Sequence, residues 1–344
     1  MDEPTPASLS AGKAVSDSLR LGWERMLYLL FRGPDASLRS WLVWGVILLI
    51  AGVGGANFGS NWHSSLRDRG DVRFPDFEAL EPWMIAAGLA ALAALMVLGL
   101  VWMYFLARFS FVMLEGVRAG RPRIREVFGR TGRAGTPYFV VLLALALAQL
   151  LLASPVVLAW IPVARRALRG EVPRLGELIP LLIVTAVWIV TLAVVGAVVN
   201  WWIYDLALPY VWLGGIEFRA GLVRAWNLTR ERPDAVLLFL VLRILVAIAG
   251  VCAACVLGCA ACALWLVPAL LLVAAVVGSM EYPLLWILTA PLILVLTLVV
   301  MWIMATVTAP IPLLYRAWSW AFVHRLDPSL PLWDDGSTGG AAAP

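Results

Sequence analysis

The sequence predicts an all-α fold, a polytopic transmembrane helical bundle of about six spans with short amphipathic interfacial helices between the span pairs. Three observations predict it. Of the 344 residues, 62% are apolar and only 14% charged, whereas a soluble domain carries about a quarter charged residues and about half apolar ones. Several uncharged runs reach the roughly 20 residues that cross a hydrocarbon core as a helix. The charges collect between these runs, not within them. An apolar surplus this large cannot be hidden inside a globule of this size, so it faces lipid. Lipid offers backbone groups no hydrogen bonds, so each run must close its own bonds as a helix.

The expected spans are residues 41–58, 83–107, 138–164, 178–204, 236–262 and 284–308. The first is short and ends among Gly52, Gly54 and Gly55. The stretch 236–309 carries only Arg243 and Glu281 as charges and is longer than two simple spans require. It holds either three spans or two joined by a re-entrant segment at 264–280. Pro268, Pro283 and Pro291 favour the interrupted form, because proline removes a helical donor and crowds the preceding turn. Residues 15–325 read as one transmembrane domain. The tails 1–14 and 326–344, rich in Pro, Gly, Ser, Ala and Asp, are expected to be disordered. Residues 1–37 are mixed in charge and lack the apolar core of a cleavable signal peptide.

Of the 26 basic residues only Lys13 is a lysine. With abundant Ala, Gly and Val, that points to a GC-rich bacterial genome. In a six-span layout the arginines of Arg20–Arg39, Arg108–Arg133, Arg219–Arg232 and Arg316–Arg325 share one side. Arg67, Arg69, Arg73 and the discordant cluster near Arg165 share the other. Loops rich in Arg and Lys stay in the cytoplasm, so both termini are expected on the cytoplasmic side of the inner membrane. Trp41, Trp83, Trp160, Trp201 and Trp202 fall near span ends, where amphipathic rings prefer the interface.

A short basic stretch precedes each pair of spans, with bulky apolar residues three and four apart. These are Leu19, Trp23 and Met26; then Ile124, Val127 and Phe128; then Leu222 and Trp226. The C-terminal stretch adds Leu314, Trp318 and Phe322. Such spacing places the residues on one helix face. Val223-Arg224-Ala225-Trp226 echoes Tyr315-Arg316-Ala317-Trp318. The pattern fits three parallel units, each an interfacial helix and a two-span hairpin, followed by a fourth interfacial helix. Any basic loop beside a membrane gives a similar pattern, so the repeat stays one of two readings.

The segments RFSFVMLEGVRAGRPRIREVF (108–128) and GGIEFRAGLVRAWNLTRERP (214–233) resemble those of uncharacterised prokaryotic multi-pass membrane families. Those families are similar to the membrane domain attached to some glycerophosphodiester phosphodiesterases. The resemblance implies a fold class and no catalytic residues. The chain has only two histidines, His63 and His324, too few for a histidine-based phosphodiester site.

Several residues are candidates for chemistry. Cys252, Cys255, Cys259 and Cys262 lie on one stripe of the fifth span. Cys252 and Cys262 are about 15 Å apart along a helix, so the four cannot share one metal. The stripe reads as a seam of small residues for a neighbouring helix, with metal, redox or acylation chemistry as the alternative. Arg243 lies two turns inside the fifth span, and Asp205, at the end of the fourth, is one candidate partner. Their role is either structural or in binding a ligand or ion. Arg121, Arg123 and Arg125 are the lipid-surface candidates, since basic residues near anionic headgroups attract them by about 1 kcal/mol each. No phosphate-binding loop, dinucleotide motif, zinc-protease motif or nucleophile elbow is present. The expectation is therefore a non-enzymatic membrane protein without cofactor. It would organise or bind lipid or a partner at the cytoplasmic leaflet, with anionic headgroups as partners and no nucleic acid. Protein partners and homo-oligomers stay open. The alternative is a permease for a small solute or lipid, using the proline-broken region 264–291 with Glu281.

Overall fold

Ser10 accepts a hydrogen bond from the Lys13 amide at 3.4 Å, and that cap starts the first helix. The computed structural model describes residues 10–51, 82–168, 175–250, 252 and 283–333. Helix α1 (Ala11–Leu27) runs into a π-helical turn, Tyr28–Arg32. Ser37 caps α2 (Leu38–Ile50). Next come α3 (Pro82–Ala119), closed by Gly120 at φ 75°, the single turn α4 (Ile124–Phe128) and α5 (Gly132–Leu168). Helix α6 (Leu175–Trp201) continues through a second π-helical turn, Trp202–Ala207, into α7 (Leu208–Leu213). The order ends with α8 (Phe218–Glu231), α9 (Pro233–Gly250), α10 (Pro283–Val307) and α11 (Pro310–Leu326).

Among the described residues, four helices are long and apolar enough to cross a membrane: Ala86–Ala119, Gly132–Val163, Leu178–Leu213 and Pro233–Gly250. A fifth arises if Val295–Val307 and Pro310–Leu326, bent by 52°, form one broken span. The chain is thus a polytopic helical membrane protein. The most apolar stretches of α3, α5 and the α6–α7 helix bury no residue inside the protein. Leu89, Leu92, Leu151 and Val190 are among the side chains left bare. Such rods require a non-aqueous solvent. Their few polar groups bond one another. Pro155 lacks the N–H that would meet the Leu151 carbonyl, and the Ser154 hydroxyl donates to it instead at 2.7 Å. Trp188 donates to the Leu152 carbonyl at 2.7 Å, and Trp160 to Thr185 Oγ1 at 2.9 Å.

Packing is concentrated at the other end of these rods. Here the C-terminal part of α3, the start of α5, α7 and the start of α9 meet α1, α2, α8 and α11. Helix α11 corrects the reading of a fourth surface helix. Trp318, Trp320, Phe322 and Arg316 are fully buried, so it forms the axis of this head. Its apolar residues surround it on all sides, and a helix apolar all round belongs inside. The amphipathic faces of α1 and α8 also differ from expectation. Small residues face inward: Ala14, Ser18 and Gly22 in α1, Gly221 and Ala225 in α8. Trp23 and Trp226 are each 50% exposed. Close helix contact selects small side chains, so these two indoles stay outside, while Met26 of α1 and Phe218 of α8 are buried beside the small residues.

The tails also differ at their inner ends. Helix α1 begins at Ala11, with Ala14 and Val15 buried. Residues 327–333 dock on the head. Residues 1–9 and 334–344 lie outside the described residues, as do the end of the first expected span, the re-entrant segment 264–280, Cys255, Cys259, Cys262 and Glu281.

Helices α1 and α11 approach each other closely. A Cβ added at Gly22 would lie 2.7 Å from the backbone of Trp318, whose indole donates to Ser18 Oγ at 3.1 Å. Gly22→Ala is therefore expected to lower stability by about 1–3 kcal/mol, the usual cost of overpacking. Gly12→Ala, with open space around it, should cost nothing. Thermal unfolding in detergent, followed by retention of the monodisperse peak, compares the two. Equal midpoints would remove the close contact from the account.

Candidate functional site at the basic end

The π-helical turn Trp202–Ala207 carries Asp205 to the centre of the head, where its carboxylate is buried. Such a turn inserts a residue into the helical ladder and re-aims the side chains that follow. Two arginines converge on the carboxylate. Arg243 of α9 is in direct contact through Nη1 and Oδ2, and Arg316 of α11 lies 3.6 Å away. Arg316 is 0% exposed and Arg243 20%. Two cations around one carboxylate leave an excess positive charge, which aromatic faces help to hold. The Arg316 guanidinium stands 3.7 Å over the Tyr204 ring and donates to the Tyr204 carbonyl, while Arg243 stands 5.0 Å from the Tyr315 ring. Cation–π contacts strengthen when desolvated. The Arg243–Asp205 pair is thus brought together as the sequence suggested. Arg316 was missed as its third member; the shared Arg-Ala-Trp gave no signal, because the matching arginine of α8, Arg224, pairs with Asp327 instead.

Removing one member of such a cluster leaves an uncompensated buried charge, at a cost of about 3–5 kcal/mol. Asp205→Asn should therefore destabilise the detergent-solubilised protein by that order, and Arg243→Gln by less, because part of Arg243 reaches solvent. Chemical denaturation with a helix-content readout measures both. A wild-type midpoint for Asp205→Asn would show that the cluster is not a structural clamp.

Two other arginines act as staples. Arg25 donates to the carbonyls of Val117 at 2.9 Å and Arg118 at 2.5 Å, capping the last turn of α3. Arg108 lies 3.9 Å over the Phe128 ring and donates to Thr131 Oγ1 at 3.1 Å. The lipid-surface candidates are less available than the sequence implied. Arg121 pairs with Asp35 at 4.0 Å and Arg123 with Glu126 at 3.7 Å. Arg125 is exposed and has no carboxylate within 4.0 Å among the described residues.

Beside this head lies a groove of about 1070 Å³ between the first turns of α5 and the α7–α8 turn. Arg130, Arg133 and Arg219 line it with one carboxylate, Glu217. Its wall is apolar: Pro137, Val140 and Val141 of α5, Val211 of α7 and Phe218 of α8. Gly215, at φ 62°, turns the chain between α7 and α8. Trp212 forms part of the lining and is fixed by donating to Glu115 Oε2 at 2.8 Å. The sequence did not show this groove, because its sides are some 80 residues apart in the chain. Among the described residues no three His, Cys, Asp or Glu side chains group as a metal site. Cys252 is a free, exposed thiol.

The segment after α11 straps the head. Asp327 accepts from Arg224 Nη2 at 3.0 Å, from Tyr210 at 3.2 Å and from Ser329. Trp320 donates to the Pro331 carbonyl at 3.1 Å, and Trp333 packs edge-on against Trp320. Burial alone would raise the Asp327 pKa. The hydrogen bonds from Ser329 and Arg224 outweigh it and hold the carboxyl below its usual range. A depressed pKa supports the docked state above the unfolded value of about 3.9 and loses that support as pH falls through the folded value. Residues 327–333 should therefore keep the same amide protection from pH 7 to pH 5, after correction for intrinsic exchange. Asp327→Asn should lose it at pH 7. Equal protection in that variant would contradict the role of the carboxylate.

These features define a multi-span helical membrane protein with a packed, arginine-rich head at one end of bare apolar rods. The chain belongs to a family of unknown function, DUF7544, whose model matches residues 13–333. No curated protein and no solved structure matches it. The family match agrees with the likeness to uncharacterised families but does not extend to the membrane domain of the phosphodiesterases.

Proposed function

We propose that this is a non-enzymatic protein of the bacterial inner membrane whose basic head sits in the cytoplasmic leaflet interface and binds anionic headgroups. One observation carries the reading. Arg32, Arg39 and Arg125 are exposed around the head with no carboxylate within 4.0 Å among the described residues, and Trp23 and Trp226 stand outward on the same end. Arginine beside an outward tryptophan suits the boundary between headgroups and hydrocarbon. The positive-inside bias supports the cytoplasmic side.

Spin-labelled lipids in proteoliposomes test the reading. Labelled phosphatidylglycerol should associate with the protein in preference to phosphatidylcholine, and salt should weaken that preference. Replacing Arg32, Arg39 and Arg125 together by Gln should cut it several-fold, at roughly fivefold or less per arginine from ~1 kcal/mol each. Replacing the already paired Arg121 and Arg123 should do less. No preference for the anionic lipid, or an unchanged one in the triple variant, would overturn the reading.

A further inference from the structure

The first turns of α5 and α8 both carry an arginine where a helix would favour an acid. Arg133 is the second residue of α5 and Arg219 the second of α8, and neither helix has an acidic residue in its first turn. The helix dipole is positive at that end, so each arginine adds charge of the same sign to it. Glu217, the residue before α8, makes no side-chain cap bond. Both arginines, with Arg130, border the same groove, and none of the three has a carboxylate within 4.0 Å among the described residues. Glu217 is the one carboxylate in the lining, so the three arginines leave the groove with a net positive charge.

The rest of the lining has the opposite chemistry. Val140, Val141, Pro137, Val211 and Phe218 present aliphatic and aromatic surface along the groove. Val140 stays 55% exposed. Water gains little beside such a wall, and a free phosphate would use only the arginines. A neutral lipid would use only the wall. An amphiphile with one anionic headgroup and an acyl chain uses both, and about 1070 Å³ accommodates a headgroup with the first part of a chain.

We infer that the groove between α5 and the α7–α8 turn holds one anionic phospholipid, its phosphate among Arg130, Arg133 and Arg219 and an acyl chain along Val140 and Val141. The inference rests on the interfacial placement proposed above. It goes further in specifying one saturable site, distinct from the diffuse attraction of the exposed arginines. Phosphate at the mouth would neutralise the two helix starts, and Arg groups suit it because their fork donates two parallel hydrogen bonds.

Native mass spectrometry of the full-length protein, released from detergent after titration with phosphatidylglycerol, tests the site. The expected result is one saturable adduct per chain, with phosphatidylcholine at least tenfold weaker. Val140→Trp fills the groove without changing charge, and Arg219→Gln removes charge without filling it. Each should lower adduct occupancy at least fivefold while spin-label preference for bulk anionic lipid persists. Arg125→Gln should leave the adduct unchanged. Millimolar glycerol phosphate should not displace the lipid, because it lacks the chain. Adducts that accumulate without saturating, equal binding of phosphatidylcholine, displacement by glycerol phosphate, or full occupancy in both groove variants would each overturn the inference. Loss of the spin-label preference with the single adduct intact would instead count against the diffuse surface reading.

Discussion

Three helices whose most apolar stretches bury nothing inside the protein set the terms for the rest of the fold. In water these surfaces would collapse or aggregate; in lipid they need no protein partner. Lipid also removes the hydrophobic drive for helices to associate, leaving close packing and hydrogen bonds as the adhesive. The rods use that adhesive sparingly, at Trp160–Thr185 and Trp188–Leu152. The head supplies most of the remainder. Its core of Trp44, Phe111, Phe239, Trp318 and Trp320 fixes where each rod begins.

Within the head, arginine does three different jobs, and the local surroundings decide which. Arg243 and Arg316 enclose Asp205, joining α6, α9 and α11 at one level. Arg25 and Arg108 bind carbonyls at helix ends that have no helical partner. Others pair with carboxylates, as Arg224 does with Asp327 and Arg121 with Asp35, or face outward or line the groove. At the buried positions lysine could not replace arginine. A planar guanidinium can stack on Tyr204, Phe128 or Tyr28 while donating in its own plane, whereas an ammonium group cannot.

Much of this was legible in the sequence where the physics is local. Span length and charge depletion marked the chain as all-helical with several apolar helices long enough to cross a membrane, α3, α5, α6 and α9 among the described residues, because crossing hydrocarbon is a requirement on each segment alone. The Arg243–Asp205 pair was legible because a charge inside a span needs a partner and few exist. The fate of α11 was not. Its spacing of Leu314, Trp318 and Phe322 resembles a one-sided helix, but Ser319, Trp320 and Ala321 on the other side are buried too. Only the presence of α1 against it, through Gly22, decides that. The pairing of Arg121 with Asp35 was hidden for the same reason, since the two are distant in sequence. Arg123–Glu126 lies three residues apart and was readable.

The central claim is that lipid covers the rods while water reaches the head's outer face. Single cysteines in a cysteine-free background, probed in intact membranes with a membrane-impermeant maleimide applied to both sides, test it most directly. Probes at Ser16 and Asn227, both exposed on the head, should react. Probes at Leu92, Leu151 and Val190 should stay unlabelled until detergent dissolves the bilayer. Rapid labelling of those three positions in intact membranes would contradict the account.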